Sequence, residues 1–470
     1  MELRGSAIVN GRLALGAIAM ALVVLFFSGN WIVCTDTAYA DVRKADVIAG
    51  STVEARGLSV AACPSVEAEH AVLVDENGAV YFERDATSPA QIASITKVMT
   101  AIVALENAPD GMYVVVSENA ATIGESSANL QEGDTMDFDT ALKALLIPSG
   151  NDAAVALSES VGAAMIAADP SLGNNPVQVF VDAMNAKAQE LGCTDTVYEN
   201  PHGLDDEQFA GSLHSTAADQ ARVAKCAMSY SKIRDIVSGG TATVTVTRDG
   251  APVSIELQTT DELLEMYEYT IGVKTGVTLL AGPSFMGAAE KDGRQLYSVV
   301  LNSTDEYQRF ADTKNLFEWG YQHIIQVKLS NSDESTSMTL NGTKRDVPVF
   351  AQVDHLDWPD KAVKATMSDP DAAITVFDLE GNVTQTVTFE ELHGNILAGD
   401  KVGKVVFKQR NQVVAEQDLV ACEDVAAPNP FEAIAIWWQG LIGGPGDNHE
   451  YASQVYNVMP VINNHVANAA

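Results

Sequence analysis

Hydrophobic and polar residues follow two different periods along the first two thirds of the chain. Residues 71–85 place two apolar runs on either side of the turn Asp75-Glu76-Asn77-Gly78, and this pattern predicts a β-hairpin. Apolar residues recur at helical spacing in residues 95–105, 141–161, 177–191 and 217–237, and a further helix is predicted from 306 to about 320. Strand-like runs occupy residues 241–257, 271–274 and 295–301. This order of elements predicts a mixed α/β (α+β) domain over residues 41–325.

The pattern changes after residue 325. Short β-prone runs alternate with Gly, Asp and Asn turns over residues 326–426, which predicts a small all-β domain. Beyond the break at Pro428-Asn-Pro430, a short helix is predicted within residues 427–443, with one apolar face made of Phe431, Ile434, Trp438, Leu441 and Ile442. Residues 444–470 form a polar tail without an obvious pattern.

The first 40 residues have the pattern of an export signal. Arg4 and Arg12 accompany the apolar run 13–27, and Ala38-Tyr39-Ala40 supplies the small residues of a cleavage site. The competing interpretation is an uncleaved transmembrane anchor that extends to Val33, although small and polar residues interrupt it. Both interpretations place the bulk of the protein outside the cytoplasm, in the cell envelope.

The composition excludes some classes of function. The chain of 470 residues has 28 Lys and Arg against 63 Asp and Glu, a formal charge of −35, which argues against nucleic-acid binding through a basic surface. A hydrophobic content of 47% excludes wholesale disorder. Beyond the signal, Cys63, Cys193, Cys226 and Cys422 lack the spacing of a zinc site. Both disulfide pairing and buried free thiols are compatible with their positions.

Three short motifs occur in one order along the chain: Ser94-Ile-Thr-Lys97, Ser149-Gly-Asn151 and Lys274-Thr275-Gly276. Each motif alone is weak, because Ser229-Tyr-Ser-Lys232 and Ser28-Gly-Asn30 repeat two of the patterns elsewhere. Their placement distinguishes them. Ser94 stands at the predicted start of an apolar helix, whereas Ser229 lies near the end of a polar one.

The spacing of Ser94 and Lys97 suits nucleophilic catalysis. Three residues along a helix amount to about one turn, so the two side chains share a face. A serine hydroxyl is a weak nucleophile, and a lysine that is desolvated beside a second cation can lose its proton and act as the base. Lys274 is the candidate for that cation. The alternative interpretation is a helix cap followed by a solvent-exposed lysine.

The other two motifs complement this pair. Ser149-Gly-Asn151 is expected in a turn between helices, where the hydroxyl can relay a proton and the amide can bind a substrate backbone. An ordinary helix cap is the alternative for this turn. Lys274 and Thr275 end a strand-like run, where an edge strand can pair with an extended peptide while the two side chains bind a carboxylate. Gly276 would let the substrate approach the backbone closely.

These residues resemble the penicillin-recognising serine hydrolases, which share the S-x-x-K, S-x-N and K-T-G motifs. Within that group the chain is most similar to the D-alanyl-D-alanine carboxypeptidases, which are low-molecular-mass penicillin-binding proteins, and the resemblance covers most of the chain. Further similar segments are Asn200-Pro-His-Gly-Leu204, His214-Ser-Thr-Ala217 and Gly272-Val-Lys-Thr-Gly-Val-Thr278. The resemblance implies a β-lactamase/transpeptidase-like catalytic domain with an antiparallel sheet and helices, followed by the small β-rich domain and the terminal helix.

The resemblance also implies acyl transfer on peptidoglycan stem peptides that end in D-Ala-D-Ala. Ser94 would attack the penultimate carbonyl with Lys97 as general base, and Ser149 would pass a proton to the departing D-alanine. The backbone N–H groups of Ser94 and Val277 would form the oxyanion hole. Water would then release the acyl-enzyme, and β-lactams would trap it.

Substrate binding follows from the same resemblance. Lys274 and Thr275 would hold the terminal carboxylate, and Asn151 would bind the peptide backbone. His202 lies in a family loop near the cleft, where it either assists hydrolysis or is a structural residue of the turn. No cofactor and no metal ion is implied.

Two segments depart from the family pattern. Residues 259–264 read Thr-Thr-Asp-Glu-Leu-Leu and lack the Asn-Thr-Asn that often precedes the two leucines. Pro283-Ser-Phe285 also replaces a commoner pattern. These departures concern substrate contacts and rate, not the nucleophile.

Other functions share some of these features. A serine β-lactamase has the same three motifs, but no Glu-x-x-x-Asn segment follows the second motif, and Glu190 falls in a predicted helix. A non-catalytic protein that binds cell-wall peptides is a further alternative, which the presence of both Ser94 and Lys97 weakens. Trp437 and Trp438 favour peripheral membrane contact for the terminal helix, although residues 427–470 contain no Lys or Arg.

Overall fold

The computed structural model describes residues 42–205, 209, 211–340, 342–442 and 452–458. The predicted export signal therefore lies outside the described residues. The chain divides into two compact units, Met1–Trp319 and Gly320–Ala470, called here the N-terminal and the C-terminal unit. The division falls within a helix that ends at His323, close to the boundary expected after residue 325.

The N-terminal unit contains two antiparallel sheets. Its strands are β1 Val47–Ile48, β2 Ser51–Thr52, β3 His70–Asp75, β4 Val80–Arg84, β5 Tyr113–Val115, β6 Thr135–Asp137, β7 Ala242–Arg248, β8 Ala251–Leu257, β9 Thr270–Gly276, β10 Ser284–Lys291 and β11 Arg294–Leu301. The larger sheet has the order β2-β1-β4-β3-β11-β10-β9, and the smaller one has the order β5-β6-β7-β8. In the described residues β9 is an edge strand, so one side of its backbone is available to a further strand.

The helices of this unit are α1 Val53–Arg56, α2 Thr96–Asn107, α3 Glu118–Thr122, α4 Phe138–Leu146, α5 Asn151–Ala168, α6 Pro176–Glu190, α7 Ala217–Ser229, α8 Ser231–Ser238, α9 Leu263–Met266 and α10 Gln308–His323. Helix α2 contacts α4, α5, α6 and α7. Every residue from Thr96 to Ala104 is buried, because apolar side chains occupy nearly all faces of this segment. Lys97 thus places an amino group inside a core, where a charge is costly unless it is paired or neutralised.

Several predicted elements are confirmed, and others differ in their limits. The hairpin of residues 71–85 is present as β3 and β4. The helical pattern of 141–161 is interrupted between α4 and α5, where the Ser149-Gly-Asn151 turn was expected, and the pattern of 217–237 breaks at Tyr230. Strand β10 was not predicted, because Ser-Phe-Met-Gly-Ala-Ala is poor in β-branched residues and its pairing with two neighbours supplies the strand conformation.

The C-terminal unit is built mainly of strands. They are β12 Ile324–Lys328, β13 Ser335–Leu340, β14 Thr343–Pro348, β15 Ala351–Asp354, β16 Ala362–Met367, β17 Ala373–Phe377, β18 Val383–Phe389, β19 Lys401–Gln409, β20 Gln412–Ala421 and β21 Gln454–Val455. Six of them form a sheet in the order β18-β19-β20-β16-β15-β21, and β12–β17 and β13–β14 form two-stranded sheets. Buried residues such as Phe350, Val353 and Phe407 form its core.

The predicted terminal helix is present as α11, Pro430–Ile442. Several of its apolar side chains are exposed, including Phe431 at 85% and Trp437 at 60%. Within the described ranges, no helix has the length and apolar character needed to cross a membrane. Part of the expected polar tail is ordered, because β21 pairs with β15 and Asn457 is buried.

The cysteines beyond the signal are free thiols. Cys63, Cys193 and Cys422 are buried, and Cys226 is partly buried. Burial raises the pKa of each buried thiol to about 12, so these groups stay protonated and unreactive at neutral pH.

Candidate active site

The first motif lies where a short 3-10 turn leads into α2. Ala93 has a left-handed backbone with φ of 47°, and Ser94 follows it, partly exposed. Lys97 is fully buried one turn further along, and its Nζ lies 2.8 Å from Ser94 Oγ and 2.8 Å from the carbonyl oxygen of His202. The predicted one-turn arrangement is therefore present, although Ser94 lies within the 3-10 turn and not at a capping position.

The surroundings of Lys97 favour the neutral amine. Burial lowers the pKa of Lys97 well below its usual value, and the positive charge of Lys274 lowers the pKa further. Asp152 opposes this shift. A neutral amine within hydrogen-bond distance of a serine hydroxyl can accept its proton, so the pair has the chemistry of a nucleophile and its base. A solvent-exposed lysine is excluded by its burial.

The second motif forms the turn between α4 and α5. Ser149 has φ of 65°, a left-handed conformation that residues other than glycine rarely adopt. Asn151 begins α5 and its Nδ2 donates to the carbonyl oxygen of Gly124 over 3.0 Å. Ser149 Oγ and Asn151 Oδ1 are buried and have no hydrogen-bond partner within the described part of the chain. Buried polar atoms are usually paired, so these two are available to a ligand.

The third motif ends the edge strand β9. Lys274 Nζ donates to the backbone oxygen of Thr275 over 3.0 Å and lies 3.3 Å from Thr275 Oγ1. Thr275 Oγ1 is also 2.7 Å from Thr260 Oγ1. A Cβ atom at Gly276 would lie 2.8 Å from the carbonyl oxygen of Ile92. Glycine is therefore required here for the approach of β9 to the turn that carries Ser94, in addition to the expected approach of a substrate.

Two buried residues set the charge of Lys274. Burial and the Arg309 guanidinium together lower its pKa to about 7, and Asp261 opposes the shift. Burial raises the pKa of Asp261 to about 7, and its Oδ2 has no hydrogen-bond partner among the described residues. Arg309 Nη1 donates to the carbonyl oxygen of Gly276 over 3.3 Å. The site thus contains three buried basic groups, Lys97, Lys274 and Arg309.

His202 holds Lys97 through its backbone. Its carbonyl oxygen accepts from Lys97 Nζ, and its ring Nδ1 accepts the N–H of Leu204 over 3.2 Å. Burial lowers the pKa of His202 to about 3, with a smaller contribution from the Lys97 charge, so the ring is neutral. The side chain of Asn200 holds this loop by accepting the N–H groups of His202 and Gly203. These contacts favour the structural interpretation of His202, and a part in hydrolysis stays a prediction.

Comparison with known proteins identifies the family. The family model of peptidase S11, D-alanyl-D-alanine carboxypeptidase, matches residues 58–305. The chain belongs to this family. It is 28% identical over 370 residues to the D-alanyl-D-alanine carboxypeptidase DacF of Bacillus subtilis, which covers 76% of this chain and 86% of that protein. It is 34% identical over 252 residues to DacB2 of Mycobacterium tuberculosis, across 52% of this chain and 79% of that protein.

Solved structures agree with this assignment. The crystal structure of the Streptomyces K15 DD-transpeptidase matches with a TM-score of 0.51 and 27% identity over 55% of this chain and 98% of that chain. These matches confirm the predicted family, the transpeptidase-like fold and the class of serine-type peptidase.

In the carboxypeptidase, the two side chains of the second S-x-x-K pattern, Ser229 and Lys232, each have another partner. Ser229 Oγ donates to the carbonyl oxygen of Cys226 over 2.6 Å. Lys232 is on the surface and forms an ion pair with Asp139 at 2.5 Å. The Ser28-Gly-Asn30 pattern lies outside the described residues. Within the described ranges, no group of three or more His, Cys, Asp or Glu side chains could hold a metal ion.

Several residues around the three motifs carry no motif of their own in the sequence of the carboxypeptidase. Thr260 and Asp261 fall in a segment noted only as a departure from the family, and Arg309 lies in α10 without a motif of its own. Asp152 follows the second motif directly, and its carboxylate accepts the N–H groups of Ala128 and Leu130 at 3.0 and 3.1 Å. This buried carboxylate therefore connects the loop between α3 and β6 to the start of α5.

Proposed function

We propose that this carboxypeptidase is exported and removes the terminal D-alanine from peptidoglycan stem pentapeptides through an acyl-enzyme on Ser94. One observation carries the proposal: a fully buried Lys97 amine lies 2.8 Å from Ser94 Oγ, with a second buried cation, Lys274, lowering its pKa. A lysine in this state can act as a base at neutral pH. The names of the relatives, D-alanyl-D-alanine carboxypeptidases, supply the class of substrate.

In the first step a covalent bond forms between Ser94 Oγ and the carbonyl carbon of the penultimate D-alanine. Neutral Lys97 takes the hydroxyl proton, and the backbone N–H groups of Ser94 and Val277 stabilise the oxyanion. Ser149 relays a proton to the departing amine as the peptide bond breaks. The free Oγ of Ser149, buried and unpaired within the described residues, supports this assignment.

Binding of the peptide end uses the edge strand and the turn. Lys274 and Thr275 hold the terminal carboxylate, because a cation and a hydroxyl donor lie side by side there. The side chain of Asn151 binds a backbone amide of the substrate, and its buried, unpaired Oδ1 is a suitable acceptor. Because Gly276 has no side chain, the end of β9 packs closely against the turn that carries Ser94.

Water completes the cycle by attacking the ester. Neutral Lys97, which lies 2.8 Å from Ser94 Oγ, takes a proton from the attacking water and passes it to the leaving serine oxygen. We propose that His202 contributes by holding Lys97 in position, since its carbonyl oxygen is a direct partner of the amine. Penicillins acylate the same serine and give an ester that hydrolyses slowly.

The test combines two measurements. Wild-type protein is expected to release D-alanine from diacetyl-L-Lys-D-Ala-D-Ala and to be labelled covalently by a fluorescent penicillin, and Ser94→Ala is expected to lose both. The matched control is Ser229→Ala, in the second S-x-x-K pattern, which should keep both. Folded wild-type protein without labelling would contradict the proposal, and would favour a non-catalytic peptide-binding protein. Rapid steady-state hydrolysis of penicillin without D-alanine release would favour a β-lactamase.

We also propose that residues 1–40 direct export and that α11 contacts the membrane surface peripherally. Exposed apolar side chains on α11, among them Phe431, Trp437 and Leu441, support the contact. Vesicle flotation of wild type and of Trp437→Ser/Trp438→Ser tests it, with the equally exposed Val413→Ser as control. Point substitutions are preferable to removal of residues 428–470, because β21 belongs to the sheet. Equal flotation of all three proteins would refute the contact.

A further inference from the structure

An apolar surface lies directly beyond the end of β9. Val277, Leu279 and Leu280 are 47%, 104% and 63% exposed, in the turn that connects β9 to β10. Turn positions of this kind are usually occupied by Gly, Pro, Asn, Asp or Ser, which tolerate both the backbone and the solvent. Two adjacent leucines turned to water at the edge of a catalytic site indicate a contact with something apolar.

The turn is held firmly in place. Thr278 Oγ1 donates to Asp205 Oδ2 over 2.8 Å and accepts the N–H of Ala281 over 3.0 Å. The N–H of Gly282 donates to the carbonyl oxygen of Thr278 over 3.1 Å, and Ala281 is buried. Thr278 and Ala281 therefore point inward, and the two leucines between them are fixed on the outside. Their exposure is a property of the fold of this turn.

The direction of the bound peptide brings it to these leucines. On the proposed function, on which this inference rests, the terminal carboxylate lies at Lys274 and Thr275 and the scissile carbonyl lies at the N–H of Val277. The substrate backbone therefore runs antiparallel to β9. As the residue numbers of β9 rise, the neighbouring substrate residues run from the C-terminal to the N-terminal end of the peptide. The residue that precedes D-Ala-D-Ala comes next to the segment after Val277.

We propose that Leu279 and Leu280 form an apolar ledge that contacts the side chain of the residue preceding D-Ala-D-Ala, and that this contact favours a long aliphatic side chain over glycine. Both leucines are exposed to solvent, so the ledge suits the methylene chain of a diamino acid whose polar end stays in water. Leu279 and Leu280 are specificity-determining residues in this proposal, and the bond-breaking groups are unaffected by them.

The test compares two substrates and two variants. Wild type and Leu279→Ser/Leu280→Ser are assayed with diacetyl-L-Lys-D-Ala-D-Ala and with acetyl-Gly-D-Ala-D-Ala. We expect the double variant to lose about fivefold in kcat/KM on the lysyl peptide, the contribution of one to two methylene groups, and to be unchanged on the glycyl peptide. The control is Leu172→Ser, an exposed leucine of the same unit at 47% exposure, which should change neither value.

Several outcomes would overturn the ledge. If the wild type is active and the double variant keeps its full preference for the lysyl peptide, the ledge alone is contradicted. An equal loss of kcat/KM on both peptides has the same consequence. Loss of self-association in the double variant, with unchanged selectivity, would assign the leucines to a contact between two copies of the chain. Wild type that releases D-alanine from neither peptide contradicts the proposed function, and the ledge with it.

Discussion

Thr260 and Thr275 share a hydroxyl–hydroxyl hydrogen bond of 2.7 Å at the substrate side of β9. Thr275 Oγ1 also accepts from Lys274 Nζ at 3.3 Å. When Thr260 is the donor, both acceptor sites of the Thr275 hydroxyl are filled, and its proton is left for a substrate carboxylate. The N–H of Thr260 donates to the carbonyl oxygen of Ile147 over 3.3 Å, so this residue connects the strand to the turn of Ser149.

Replacement of Thr260 by valine is expected to weaken substrate binding. The change removes the donor but keeps the shape, so the Thr275 hydroxyl loses its fixed orientation. One such hydrogen bond contributes about 1 kcal/mol, which corresponds to a rise of about fivefold in KM with little change in kcat. Thr260→Ser keeps the hydroxyl and should retain the wild-type KM. A valine variant that lowers kcat alone, or a serine variant as weak as valine, would contradict the role in orientation.

The pH dependence of substrate binding should respond to Asp261. Ionised Asp261 raises the pKa of Lys274 against burial and Arg309, so Asp261→Asn lowers that pKa below about 7. Lys274 then loses its charge from a lower pH, and KM should begin to rise at a lower pH than in wild type. Asp235→Asn, an exposed site with the same change of charge, is the control. KM profiles that coincide for wild type and Asp261→Asn would refute this coupling.

Acylation should slow at acid pH, because protonated Lys97 cannot accept the serine proton. The charge of Lys274 lowers the pKa of Lys97, so Lys274→Gln should raise that pKa and move the acid limb to higher pH. The measurement is the rate of acylation by penicillin as a function of pH. The quantity compared between the two proteins is the pH at which the rate falls on the acid side, not the maximum rate. A limb that stays in place would show that burial alone sets the state of Lys97.

A methyl group at Gly203 should disturb the nucleophile. Gly203 has φ of 89°, and a Cβ there would lie 1.9 Å from the carbonyl oxygen of Ala93, the residue before Ser94. Displacement of a reacting group by about 1 Å can cost about 100-fold in rate, and we expect a loss of this order in acylation by penicillin for Gly203→Ala. Gly192→Ala, with φ of 75° and open space around its Cβ, is the control for backbone strain. Equal losses in both variants would contradict the displacement.

Elements with a strong local pattern could be predicted from the sequence. The hairpin of β3 and β4 has a turn sequence between apolar strands, and the segment of α2 has apolar residues at helical spacing. Strand β10 could not be found in this way, because its small residues become a strand only through pairing on both sides. The break before α5 depends on the left-handed backbone of Ser149, a conformation that no local pattern specifies.

The sequence alone determined the chemistry of the three motifs and the one-turn spacing of Ser94 and Lys97, because a helix converts three positions into one face. Only the tertiary structure decided which motifs meet, since the nearest pair is separated by more than 50 residues. It also decided the charge states. Burial and the approach of Lys274, Asp261 and Arg309 shift proton equilibria through desolvation and Coulomb forces, which act across space and leave no local trace in a sequence.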